Sequence, residues 1–411
     1  MTSIFTAADQ KLNAPGKFWT SPTKESEIDI KKNKIFRSYL YLPTSASGFR
    51  KENFALTTSS IYSLDSSKKP ESMSILTWKR VEPFIEDNGN EERFGFRIFS
   101  GEVFQDFYTA DSSSLEKWLG KLSKVCILQD IEMDFKVERE IGAGNYGEVH
   151  LGKEIETGEF FAIKSISKGR LLESSIGIEN LIGEIQILRK LEHPNLVKLH
   201  KVYESEDFVY LVQDYIPSKD LCKRTLEMGN LNEESAVKVI REVLETLHYL
   251  KTKDVAHRDI KPENILVTEN FDVKVIDFGL ACRNIKQGGT AKCGSPGYVA
   301  PEILEEKVYG AKVDVFSAGV VLYVMLSGVL PFAGNTEREV LYENKMCNIA
   351  FPSFYWLGVS CEAKDLILKM TNPNPSKRLT ALEALSHPWF CKFNSGSPKP
   401  TRKSSLTRSQ E

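Results

Sequence analysis

The sequence predicts an α+β chain of two successive folding units: a small β-barrel or sandwich closed by one helix, then a unit that begins in strands and continues in helices. Three observations predict it. Short apolar alternations of period two recur between residues 35 and 110, an amphipathic helix pattern closes them before residue 127, and from residue 134 strand-like runs give way to helical ones. At 411 residues the chain exceeds one ordinary core, and 41% hydrophobic with 27% charged residues makes it globular rather than disordered or fibrous.

A formal net charge of -2 gives no global attraction to nucleic acid or to an acidic membrane, so no nucleic-acid partner is expected. The seven cysteines are scattered and odd in number, and none is spaced C-x-x-C, which predicts reduced thiols rather than a disulfide framework or zinc site. The start, "MTSIFTAADQKLNAPG", holds no apolar run long enough for a signal peptide, and a cytoplasmic protein is expected.

Residues 1–33 are polar, Lys-rich and weakly periodic, which predicts a flexible leader, and residues 391–411 end in a basic, disordered tail. Between residues 35 and 127 the runs "IFRSYLYL", "FALTT", "SIYSL", "SILTWKRV", "FGFRIF" and "VFQDFYTA" read as strands. In "DSSSLEKWLGKLSKVCIL", Asp111 or Ser112 caps a helix whose stripe is Leu115, Trp118, Leu119 and Leu122. This arrangement resembles a pleckstrin homology (PH) domain, with Trp118 at the tryptophan that family carries on its C-terminal helix. The resemblance implies a ligand surface on the first two strands, where "GFRKENFAL" offers Arg50 and Lys51 but places Glu52 where lipid binders have a second arginine. A carboxylate there repels phosphate, so protein docking or autoregulation is expected ahead of weak phosphoinositide binding with transient membrane association.

From residue 135, "FKVEREIGAGNYGEVHLG" carries Gly142, Gly144 and Gly147 in G-x-G-x-x-G spacing, which lets backbone amides approach phosphate oxygens. The segment "EVHLGKEIETGEFFAIKSI" continues in strands, so the loop is a hairpin lid rather than a helix start. "FAIK" places Lys164 after apolar Ala162 and Ile163. A buried lysine needs a carboxylate, and Glu184 lies beside the Leu181, Ile185, Leu188 stripe of the next helix. In "VAHRDIKPENILVTENFDVKVIDFG" the apolar runs around "TENFD" read as a hairpin, which carries Asp259, Lys261, Asn264 and Asp277 to one end. "VFSAGVVLYVMLSGVLPFAG", residues 315–334, approaches the length of a membrane span, but Asp314 at its head and Pro331 near its end favour a helix buried in a core, with no transmembrane segment.

Residues 135–390 resemble a eukaryotic protein kinase domain, through "GAGNYGEV", "FAIK", Glu184, "HRDIKPEN", "DFG" and "APE" in order. The resemblance implies a bilobal fold, ATP and Mg2+ as cofactors, and protein substrates with Ser or Thr acceptors. It implies a nucleotide site formed by Ile141, Gly142, Ala143, Gly144, Asn145, Tyr146, Gly147, Glu148 and Val149, by the walls Ala162 and Leu266, and by backbone groups of Asp214 and Ile216. Lys164 then holds phosphates and is oriented by Glu184, Asn264 and Asp277 bind Mg2+, Asp259 accepts or orients the hydroxyl proton, and Lys261 steadies the transferred group. Glu302 of "APE" and Arg378 match the family's buried ion pair.

"DIKPEN" and "GSPGYVAPE", with Ser295 beside the acceptor, look like a serine/threonine kinase, and the overall wording resembles the calcium/calmodulin-dependent (CAMK) group. In that group the positions of Asp220 and Glu263 meet basic residues before the target, which implies an Arg-x-x-Ser/Thr preference. The Ser/Pro/Lys-rich tail does not form the group's autoinhibitory helix, so direct calmodulin binding is not expected. Arg258 is the expected partner of a phosphate at Thr290, and Ser405, three residues after Arg402, is an expected self-phosphorylation site. The alternative from another class is a catalytically inactive pseudokinase scaffold.

Overall fold

In "YLYL", Leu40 and Leu42 point one way and their neighbours the other, as a strand with one face on a core requires. In the computed structural model this stretch lies in the first of seven antiparallel strands. The structure describes residues 3–12, 17–45, 48–87, 89, 91–144, 147–174 and 176–393, so Asn145, Tyr146, Arg402 and Ser405 lie outside the described residues. It divides into two units: residues 1–192 with 197–216, and residues 193–196 with 217–411.

The first unit opens with helices α1 (Thr6–Leu12) and α2 (Ser26–Asn33). Strands β1 (Lys34–Pro43), β2 (Phe49–Thr57), β3 (Ser60–Leu64), β4 (Pro70–Ile75), β5 (Arg80–Asp87), β6 (Glu92–Ser100) and β7 (Val103–Tyr108) follow, then α3 (Ser112–Leu122). The strand order is β4-β3-β2-β1-β7-β6-β5. The edges β4 and β5 share no ladder among the described residues, so hydrogen bonding does not close the barrel that the sequence predicts. The Asp111 carboxylate caps α3 by accepting the Ser114 N–H at 2.7 Å. That helix buries Leu115, Trp118 and Leu122 in a core with Phe54, Phe96 and Phe107.

Two expectations change here. "SILTWKRV" is not one strand but the end of β4, a turn and the start of β5. The turn buries Trp78, stacked on Phe5 at 5.3 Å between centroids, and Lys79, whose Nζ donates to Asp9 at 3.2 Å and to Ser100 at 2.5 Å. Phe5 and Asp9 come from residues 1–33, which the sequence predicts as a flexible leader. Phe5, Asp9, Phe18 and Ser26 are buried there, because isolated anchors can fill gaps beside a sheet without producing a periodic pattern.

The same unit continues through α4 (Ile131–Asp134), β8 (Phe135–Gly144), β9 (Gly147–Glu154), β10 (Phe160–Ser167), α5 (Lys168–Glu173), α6 (Gly177–Leu188), β11 (Leu199–Glu204) and β12 (Phe208–Asp214). These strands form a second sheet in the order β11-β12-β10-β9-β8. A Cβ on Gly147 would lie 1.7 Å from the Ser165 carbonyl oxygen, so the approach of β10 itself requires glycine there.

The second unit holds β13 (Lys219–Asp220), α7 (Leu221–Met228), α8 (Glu233–Thr252), β14 (Val255–Ala256), β15 (Ile265–Val267), β16 (Val273–Val275) and β17 (Cys282–Arg283). Beyond them lie α9 (Pro301–Leu304), α10 (Lys312–Ser327), α11 (Glu337–Met346), α12 (Ser353–Trp356), α13 (Cys361–Met370), α14 (Ala381–Leu385) and α15 (Pro388–Cys391). Helix α10 is the apolar stretch anticipated as a core helix. It is buried along nearly its whole length and ends at Gly328 with φ +74, a left-handed cap. Among the described residues no helix is long and apolar enough to cross a membrane. Arg378 donates to both Glu302 oxygens, at 2.7 and 2.8 Å, as the expected buried pair.

Candidate active site

The first unit supplies a lysine and its carboxylate. On β10, Ala162 and Lys164 share one face, and Val149 of β9 pairs directly opposite Lys164, so these three side chains line one patch of the sheet. Glu148 alternates to the other face, is exposed and lies 3.6 Å from His150, so it reaches a ligand in this patch only through its backbone. Lys164 Nζ donates to Glu184 Oε1 at 2.8 Å, and both residues are buried, at 8% and 3% exposure. The pair exists because α6 sets Glu184 beside its apolar stripe. Ile141, Gly142, Ala143 and Gly144 end β8, and Gly147 begins β9 opposite Gly144. A Cβ on Gly142 would meet nothing within 4 Å among the described residues, so no contact with them demands that glycine. Asp214 ends β12, and its side chain is committed to His200 Nε2 at 2.6 Å and the Lys198 N–H at 3.1 Å rather than to a ligand. Ile216 lies two residues beyond the end of β12.

The second unit supplies an acidic cluster held by a hairpin. Strands β15 and β16 pair Ile265 with Val275, so Asn264 and Asp277 emerge at the same end, as the turn at "TENFD" requires. Leu266, also on β15, pairs with Asp220 of β13. Asp259 Oδ1 accepts the Ser295 hydroxyl at 2.7 Å, and its Oδ2 accepts Asn264 Nδ2 at 2.9 Å and lies 3.1 Å from Lys261 Nζ. Lys261 Nζ also donates to Ser295 Oγ at 2.7 Å. Three side chains, one of them more than thirty positions away in the sequence, thus close one network around a buried carboxylate. His257 orders the turn beneath it: Nε2 meets the Ile276 carbonyl at 3.1 Å and Nδ1 accepts the Asp259 N–H at 3.3 Å, which puts the ring proton on Nε2. Arg258 (φ +66) and Asp277 (φ +62) both adopt left-handed backbone conformations, each costing about 1–3 kcal/mol that the surrounding contacts must offset.

Asn264 donates Nδ2 to both the Asp259 carbonyl and its carboxylate, at 2.9 Å each, so the amide oxygen is the atom left for a hard cation. Asp277 adds a carboxylate from the same end of the hairpin, one oxygen of which takes the Gly279 N–H at 3.3 Å. Two oxygen donors fit Mg2+, which completes its shell with phosphates and water rather than with an all-protein cage. Among the described residues no cluster of three or more His, Cys, Asp or Glu forms such a cage.

Of the expected substrate carboxylates, Glu263 is exposed on the turn before β15. Asp220 is engaged locally: it caps α7 by accepting the Lys223 N–H at 2.8 Å and lies 3.0 Å from Lys223 Nζ. Both still act on one place, because burial first, then Glu263 and Asp220, raise the Cys222 thiol above its ordinary pKa. Arg258 Nε donates to the Leu280 carbonyl at 2.6 Å and Nη1 to the Tyr309 hydroxyl at 3.0 Å, which in turn donates to the Ala291 carbonyl at 2.8 Å. Exposed Thr290 is therefore next to the end of that relay. Sequence reasoning missed Tyr309, and it took Asp314 only as a mark against a membrane span. The signal for Asp314 was a charge in an apolar run, which asks for buried donors.

The protein kinase domain model matches residues 135–390. The chain belongs to the protein kinase domain family. It is 42% identical over 267 residues to calcium-dependent protein kinase 14 of Arabidopsis thaliana, covering 64% of this chain and 50% of that one. It is 39% identical over 259 residues to the probable serine/threonine-protein kinase 2 of Plasmodium falciparum, covering 62% and 50%. With the serine/threonine-protein kinase cds1 of Schizosaccharomyces pombe the identity is 38% over 320 residues, covering 74% and 68%. The chain thus spans about half the length of the first two of these kinases. The family match begins at β8, and the seven-stranded region lies before it.

Proposed function

We propose that this chain is a serine/threonine protein kinase that transfers the γ-phosphoryl group of ATP to Ser or Thr hydroxyls of protein substrates. The observation that carries this reading is the Asp259 cluster, in which a hydroxyl, that of Ser295, already sits 2.7 Å from the carboxylate and 2.7 Å from Lys261. A substrate hydroxyl needs the same two partners: Asp259 aligns it and takes its proton, while Lys261 steadies the moving group. Lys164, fixed by Glu184, holds the nucleotide phosphates, and Asn264 and Asp277 hold Mg2+, whose charge neutralises the phosphate oxygens. The kinases to which the chain is similar support the Ser/Thr class.

Glu263 and Asp220 support a preference for arginine before the target, since both carboxylates bear on the same thiol at Cys222. Thr290 is the proposed activating phosphosite. Residues 35–127 are proposed as a PH-like regulatory module, supported by seven strands closed by a helix with Trp118 in the core. There Glu52 contacts Arg50 directly and Lys51 lies 4.8 Å from the Tyr39 ring centroid, which favours a protein ligand over a phosphoinositide.

The test is phosphate transfer from Mg-ATP by the full-length chain to Arg-x-x-Ser and Ala-x-x-Ser peptides. The Arg peptide is turned over better by on the order of tenfold, as one charge-assisted hydrogen bond supplies. Asp277→Ala removes transfer to both. Equal turnover of the two peptides removes the arginine preference alone, and transfer that survives Asp277→Ala removes the role given to that carboxylate.

A further inference from the structure

Arg189 stands one residue beyond the end of α6, the helix that carries Glu184. Its guanidinium does not turn to solvent. Nη1 donates to the Thr77 carbonyl at 2.6 Å, Nη2 donates to the Cys126 carbonyl at 2.9 Å, and its carbon lies 5.8 Å from the Trp78 ring centroid. Thr77 belongs to the turn between β4 and β5, and Cys126 to the segment after α3, so one side chain gathers two separate parts of the N-terminal sheet region. Burial of the guanidinium is the leading influence on it and pushes its pKa down to about 10.

The ground on which Arg189 docks is itself tied to the kinase sheet. Ile127 pairs in parallel with Arg80 at the start of β5, and Leu128 pairs in parallel with Tyr203 of β11, so consecutive residues bridge the two sheets. Four backbone bonds hold that bridge: Ile127 N–H to Lys79, Val81 N–H to Ile127, Leu128 N–H to Val202 and Glu204 N–H to Leu128, at 2.8–3.0 Å. Glu204 also accepts the Ser3 hydroxyl at 2.5 Å and the Ile4 N–H at 2.9 Å, and lies 2.8 Å from Lys168 Nζ.

We propose that Arg189 is a positioning residue for the Lys164–Glu184 pair: it anchors the C-terminal end of α6 to the Thr77 and Cys126 carbonyls, and so makes phosphate gripping depend on the N-terminal sheet region. The inference rests on the kinase reading of that pair and deepens it by naming the contact through which the N-terminal sheet region acts. A displacement of α6 that carries its C-terminal end along with Glu184 also pulls an enclosed cation from two carbonyls. Hydrogen bonds to charged groups are the strong ones, and leaving a buried donor without a partner is costly. The helix is therefore biased toward the paired position by a contact whose two acceptors, Thr77 and Cys126, lie outside the family's residues 135–390.

The experiment uses the full-length chain with Arg189→Ala, Arg189→Lys, Glu184→Gln and the Arg189→Ala/Glu184→Gln double variant. It reads kcat, KM for ATP and for peptide, and amide hydrogen exchange across residues 177–188. Arg189→Ala is expected to lower kcat/KM for ATP by about tenfold, equivalent to about 1.4 kcal/mol, with peptide KM unchanged. Arg189→Lys, which keeps the charge but reaches one carbonyl, falls between, and it serves as the test if Arg189→Ala does not fold. In the Glu184→Gln background the same Arg189→Ala change costs less than about twofold, because the pair it positions is already gone. Exchange across α6 rises while β2 and β6 stay protected. An equal loss in both backgrounds, or unchanged exchange across α6, overturns the proposal. If wild type transfers no phosphate the kinase reading fails, and the exchange comparison still decides whether Arg189 anchors α6.

Discussion

Asp314 Oδ1 accepts the backbone N–H of Arg258 at 2.8 Å, and its Oδ2 accepts that of His257 at the same distance. A carboxylate at the head of α10, 2% exposed, thus grips the turn that presents Asp259, which is the next residue. Burial raises the Asp314 pKa, and His257 and the two amide bonds act against that shift. The two amide bonds offset that burial and the strain of Arg258, whose left-handed conformation an arginine otherwise avoids.

Asp314→Asn replaces one accepting oxygen by an NH2 group that faces an N–H. The loss of one charge-assisted bond and the new clash should destabilise the chain by about 2–4 kcal/mol. Chemical denaturation followed by tryptophan fluorescence measures this, and an unchanged midpoint contradicts the anchoring role.

The hairpin ending in Asn264 and Asp277 was legible in the sequence because its two apolar runs have the period of strands and flank a turn-forming "TENFD". The Lys164–Glu184 pair was legible for a similar reason, since a lysine inside an apolar strand demands a carboxylate. The partners of Tyr309, Asp314 and Arg189 were not, because each acts through long-range contacts made by a hydroxyl or to backbone atoms, and such contacts leave no spacing to read. The buried leader escaped for the same reason: Phe5 and Asp9 meet Trp78 and Lys79, some seventy positions away.

Phosphate at Thr290 should raise activity by reaching the Arg258 guanidinium, which now ends its relay on Tyr309 and Ala291, beside Thr290. Incubation with ATP gives a mass increase on the peptide that holds Thr290, and Thr290→Ala abolishes both the increase and the gain in rate. A Thr290→Ala chain as active as the phosphorylated wild type would exclude the switch.

Burial pushes the Cys126 thiol up to about 12, and the residue is fully buried, whereas Cys361 and Cys391 are exposed. In mildly alkaline solution iodoacetamide should label exposed Cys361 and Cys391 first and leave buried Cys126 untouched. The sign follows from the raised pKa, which keeps Cys126 protonated until far more alkaline solution. Peptide mass spectrometry reads the difference, and early labelling of Cys126 contradicts the enclosed junction around it.

The most direct measurement of the central claim compares wild type with Asp259→Asn at saturating Mg-ATP and peptide, with nucleotide affinity measured in parallel. The substitution keeps the size of the side chain but removes the carboxylate on which Ser295, Asn264 and Lys261 converge. In Asp259→Asn kcat is expected to fall by on the order of a hundred to a thousandfold while the Kd for ATP changes by less than about twofold. Transfer at the wild-type rate by Asp259→Asn, or no transfer by either protein, would contradict it, the second result pointing to a scaffold that has kept the shape of a kinase without its chemistry.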